Sequence, residues 1–191
     1  MFFPESQRET TWLNIAALLV AAYLTVFMES TLDVVRNLTG AQFDLLPSLM
    51  VYVGMSYGFN TVLAVGTVSG VLYDSTSANP LGTSVLPLVL IGMLVLHNRD
   101  LLLRDQTYPQ YVLGLAASIF APIVIYLLLV GLGKPPGIGW YSLWQLAVMA
   151  LIGGLFTPVW FYIFGKLDNA LMYPSVPESA FRPDREIERG K

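Results

Sequence analysis

Long stretches of the chain carry no charged side chain. Residues 12–28, 111–132 and 141–164 are three such runs, each dominated by Leu, Ile, Val, Ala and aromatic residues. A hydrocarbon core of about 30 Å is crossed by about 20 apolar helical residues, so each run predicts a membrane span. A fourth run, residues 45–73, is longer. As one helix its 29 residues would extend roughly 43 Å at 1.5 Å per residue, too far for one crossing without strong tilt. Gly58, Phe59 and Asn60 lie at its middle. Glycine ends helices and asparagine caps their starts, so the run predicts two short helices, 45–58 and 60–73, joined by a tight turn. A further apolar run covers 80–96. It follows Asn79-Pro80, which reads as an N-cap and a first-turn proline.

The pattern therefore predicts an all-α integral membrane protein with six transmembrane helices, the second and third short. Period-two alternation is absent, which argues against a β-barrel. Residues 12–170 form one membrane domain, preceded by a cytoplasmic N-terminus (1–11). A flexible cytoplasmic tail (171–191) follows, with Pro174, Pro177 and Pro183 among mixed charges.

Composition agrees. Apolar residues make up 55% of the 191 and charged residues 12%, and mean hydropathy is +0.62. Soluble domains carry about 25% charged residues, so this chain cannot cover an ordinary water-facing surface. There is no cysteine, which removes disulfides, thiolate nucleophiles and cysteine-based metal sites. A net charge of −3 offers no basic field for nucleic acid.

Lys and Arg set orientation. With six spans, Arg8, Arg99, Arg104, Lys166, Arg182, Arg185, Arg189 and Lys191 share one side, against Arg36 and Lys134 on the other. Both termini are then cytoplasmic. A five-span chain, with 45–73 as one helix, gives the same division and moves the N-terminus outside. Charge thus fixes the C-terminus, and the break at 58–60 decides the count.

No ionisable residue lies mid-span. Glu29, Asp44, Asp74, His97 and Lys166 all fall at ends. Intramembrane charges mark ion paths and proton relays, so their absence argues against a pump or an ion-coupled transporter. His97, the one histidine, reads as a solvated helix end. No metal-ligand cluster, nucleophile triad, P-loop or dinucleotide fingerprint appears. The expectation is a chain that is not an enzyme and takes no cofactor or metal.

Small residues recur at four-residue spacing: Gly54 and Gly58, then Gly66 and Gly70. Such pairs let two helices approach closely, within one fold or against a partner chain, a second copy included. Asp74 continues the Gly66–Gly70 face and sits at a helix C-terminus, where the dipole disfavours it by about 0.3–1 kcal/mol. The start of the next helix would offset that, which predicts the Asp74 carboxylate on backbone amides near 81–84. Asn79, Pro80 and Gly82 would structure the loop between.

Gly66-x-x-x-Gly70 running into Asp74-Ser75, then Asn79-Pro80-Leu81-Gly82, resembles the bacterial rod shape-determining protein family MreD. Phe43-Asp44 ahead of the second span and a six-span chain of this size support the resemblance, which covers about residues 12–170. It implies a non-enzymatic scaffold in the bacterial inner membrane. It also implies direct binding to MreC, with MreB and the glycan polymerase and transpeptidase of elongation in the same assembly, guiding peptidoglycan synthesis. The family is similar in fold to the substrate-binding subunits of energy-coupling-factor transporters. That similarity supplies the rival expectation, a subunit for uptake of a small solute such as a vitamin. Uptake calls for an open polar cavity below the Asp74 loop; a scaffold calls for a packed interior and an apolar groove.

Overall fold

The computed structural model describes residues 12–31, 40, 43–77, 79–99, 106–133, 137 and 139–172, and among these every regular element is helical. Six helices follow one another: α1 (Trp12–Thr31), α2 (Leu46–Ser56), α3 (Phe59–Thr76), α4 (Val85–Asn98), α5 (Thr107–Gly131) and α6 (Trp140–Met172). Three helical segments are long and apolar enough to cross a membrane: Asn14–Thr31, Thr107–Gly131 and Trp140–Leu167. Leu46–Ser56 and Val85–Asn98 are apolar but shorter. The expected N-terminal segment and the tail from 173 onward lie outside the described residues.

The long charge-free run does break. Tyr57 and Gly58 adopt extended backbone between α2 and α3. Tyr57 N–H still closes on the Val53 carbonyl at 2.9 Å, and the Gly58 carbonyl accepts from Thr61 and Val62, both at 3.1 Å. The turn therefore leaves few backbone groups without partners, as a low-dielectric setting requires.

Helix α2 is the centre of the fold. It packs against all five other helices, and all 11 of its residues are buried. Leu49, Met50, Val51 and Val53 are fully enclosed. Tyr52 stacks on Phe164 of α6 at 4.8 Å and meets Phe161 edge-on at 5.0 Å. Trp160 Nε1 donates to Ser48 Oγ at 3.0 Å, giving the indole N–H a partner in the interior.

One boundary corrects the sequence reading. The fourth helix starts at Val85, with Ser84 as its N-cap, and not at Pro80. Residues 80–83 form a β-turn in which Thr83 N–H donates to the Pro80 carbonyl at 3.2 Å. Gly82 occupies its third position at φ +92°, a left-handed conformation that glycine adopts without steric cost. Asn79-Pro80 mimics a helix start because proline also favours turns.

Candidate functional site

Glycines set how close the short helices come. A methyl group on Gly70 would lie 2.6 Å from Val85 Cα and 2.7 Å from Val85 N. On Gly54 it would lie 2.6 Å from the Gly92 carbonyl oxygen, and on Gly66 2.9 Å from Val89 Cγ2. All three glycines are buried and face α4. Their faces are thus filled by this chain's own helix. Gly58 makes no such contact within the chain: a methyl group there would meet nothing within 4 Å. Its place is the α2–α3 turn, because the helix ends two residues earlier and turns its backbone out of the packed face. Gly92 on α4, which spacing did not single out, completes the contact, with Val62 Cγ1 at 2.5 Å from a built Cβ.

Asp74 closes the same interface at one end. It is 2% exposed, and the Ser84 N–H donates to its two carboxylate oxygens at 3.2 and 3.1 Å. Ser84 N is a free donor at the start of α4. The positive end of that helix offsets the unfavourable position of the carboxylate at the end of α3. Ser75 and Thr76 hydroxyls donate back to the carbonyls of Leu72 and Tyr73 at 2.6 and 2.9 Å, covering the end of α3. Asn79 N–H donates to Ser77 Oγ at 3.3 Å.

A second pair of carboxylates holds the start of α2, and sequence reasoning did not give it this role. Glu29, near the end of α1, accepts the Leu45 N–H on Oε1 at 2.7 Å. Asp44 accepts the Leu46 N–H on Oδ1 at 2.9 Å. Pro47 has no N–H to satisfy. Because this helix start is buried, side chains must serve where water would elsewhere. Burial pushes the Asp44 carboxyl up to about 6, with the Leu46 amide acting in the opposite direction. The only sequence signal was that both residues stand at the edges of apolar runs.

The two long helices join differently. A Cβ on Gly114 would strike Thr157, and one on Gly153 would strike Ser118. Glycine on each helix thus receives a small hydroxyl side chain from the other. Thr157 Oγ1 donates to the Gly153 carbonyl at 2.8 Å. Farther along, α5 and α6 leave a half-open cleft of about 400 Å³. Its walls include Ile125, Leu129, Leu146 and Met149, and Tyr73, Asn79 and Gln145 bring polar groups.

Among the described residues no group of three or more His, Asp and Glu is placed to hold a metal ion. His97 is exposed at the end of α4. Lys166 lies with Nζ 4.7 Å from the Tyr162 ring centroid, a cation–π contact. Compared with protein-family models, curated proteins and solved structures, the chain shows no match.

Proposed function

We propose that this chain is a non-enzymatic scaffold of the bacterial cell-elongation machinery, of the MreD kind. It lies in the inner membrane, crosses it six times with both termini in the cytoplasm, and binds MreC. The observation that carries the reading is the packed interior. Helix α2 is buried along its whole length, so among the described residues the centre of the fold is filled by the chain's own side chains. Asp44 and Asp74, two residues that carry the family resemblance, are engaged on backbone amides. They hold helices together and are not poised for chemistry.

Six crossings are physically reasonable despite the short helices. Helices α2 and α4 extend about 16 and 21 Å at 1.5 Å per residue. Both fall short of a core of about 30 Å. Protein surrounds α2, so its ends expose no backbone to lipid. In a bilayer a partner helix is held by packing and hydrogen bonds rather than by release of water. With the glycine faces filled internally, the MreC segment docks on an outward face of α1, α5 or α6.

Affinity purification of the tagged chain from its native host tests this. The scaffold reading expects MreC among the recovered chains, with MreB and the elongation polymerase and transpeptidase in the same assembly. Recovery of an ATPase transport module and a retained vitamin, without MreC, would overturn it in favour of solute uptake. The cleft beside Asn79 is the observation that favours that second reading.

A further inference from the structure

The cleft between α5 and α6 is not used by the scaffold reading. Its volume, about 400 Å³, lies within the roughly 300–1,000 Å³ of ordinary ligand sites. Among the described residues no charged side chain lines it. Most of its exposed wall is apolar, with Ile123, Ile125, Leu129, Leu143, Leu146 and Met149 contributing. Ile123 and Leu143 are 45% and 58% exposed, so the cleft is open along the outward faces of two of the helices that suit a membrane. Pro122 also lines it. Proline removes the α5 bond to the Ser118 carbonyl and loosens the helix just beyond the close Gly114–Thr157 and Gly153–Ser118 contacts. Asn79, Gln145 and Tyr126 contribute polar side chains to the lining, and none makes a side-chain hydrogen bond among the described residues.

We propose that this cleft is a lipid site that takes one acyl chain of a bilayer glycerolipid. The aliphatic wall holds the chain, and the amide N–H groups of Asn79 and Gln145 and the Tyr126 hydroxyl donate to its ester oxygens. The described lining is uncharged and matches an uncharged chain and ester, with the headgroup left outside. The inference goes beyond the partner reading and depends only on the chain lying in a bilayer.

The test uses the full chain in nanodiscs of phosphatidylcholine carrying a photoreactive diazirine on one acyl chain. Labelling is expected on Leu146 and Met149, saturable and competed by unlabelled lipid. Leu146→Trp, which fills the cleft, should lower that labelling about tenfold, equivalent to about 1.4 kcal/mol. The double variant Asn79→Leu, Gln145→Leu should lower it in the same direction without filling space. Labelling of the exposed Tyr23 and Phe27 face of α1 should stay unchanged in both, as an internal measure of bulk lipid. Cleft labelling that does not saturate, or that both variants leave intact, overturns the site. Labelling of neither face defeats the bilayer placement and the site with it.

Discussion

The short helices and the long pair solve the same problem in opposite ways. In α2 all 11 residues are buried. In α5 the buried residues are Gln110, Gly114, Ala117, Ser118 and Ala121, five of 25. Both sequences are apolar all round, yet protein encloses the first and most of the second faces outward. The packing chemistry differs accordingly. Helices α2, α3 and α4 meet through glycine against backbone, at Gly70–Val85 and Gly54–Gly92. Carboxylates from α1, from the 43–45 segment and from α3 tie helix starts that water cannot reach. Helices α5 and α6 meet through glycine against serine or threonine, with no carboxylate in those contacts among the described residues. The comparison separates a helix sealed on all sides by its own chain from a closely joined pair whose outer side stays open.

Gly70→Leu should break the first region most severely. Its side chain would enter the Val85 backbone, which cannot move aside as a flexible side chain does. Overpacking costs about 1–3 kcal/mol and more where backbone must shift. The expected outcome is loss of monodisperse protein on size-exclusion chromatography. Gly153→Leu attacks the second region, where the obstacle is the Ser118 side chain. Ser118 Cβ, 2.7 Å from that position, moves only with the α5 backbone, so a lowered melting temperature is expected.

Asp74→Ala removes the acceptor from a buried Ser84 N–H and should cost about 1–3 kcal/mol in thermal unfolding. Asp74→Asn should cost less, since its amide oxygen still accepts. Asp44 gives a pH signature confined to the first region. Its folded-state value is raised from 3.8 to about 6. Its contribution to stability is therefore full below about 3.8 and is lost as pH rises through about 6. Asp44→Asn should flatten the melting temperature between those limits. The smallest effect belongs to Gly58→Ala. With φ −89° and open space around it, that change should stay within about 0.5 kcal/mol.

These contrasts also mark what the sequence could reveal. The α2–α3 break was legible because 29 charge-free residues exceed one membrane thickness and a glycine stands near the middle. The placement of Asp74 on an amide near 81–84 was legible because a carboxylate at a helix end needs a nearby donor. The start of α4 was misplaced because Asn-Pro suits a turn as well as a cap. The role of Glu29 was not legible, since its partner, the Leu45 amide, lies 16 residues away and meets it only through folding. Nor could hydropathy distinguish α2 from α5, because lipid and protein interior select the same residues. The Gly114–Thr157 and Gly153–Ser118 contacts were missed for a related reason: each half looks ordinary until the helices are paired.

The scaffold reading rests on α2 and α3 being separate crossings, with the Gly58 turn and the Asp74 loop on opposite sides of the membrane. The chain has no cysteine, so single cysteines at two exposed positions, Asn60→Cys and Leu81→Cys, report their sides without background. In sealed, right-side-out membrane vesicles, an impermeant maleimide should label the Leu81→Cys chain readily and the Asn60→Cys chain only after the vesicles are opened. Equal labelling of both in sealed vesicles would contradict the six-span scaffold.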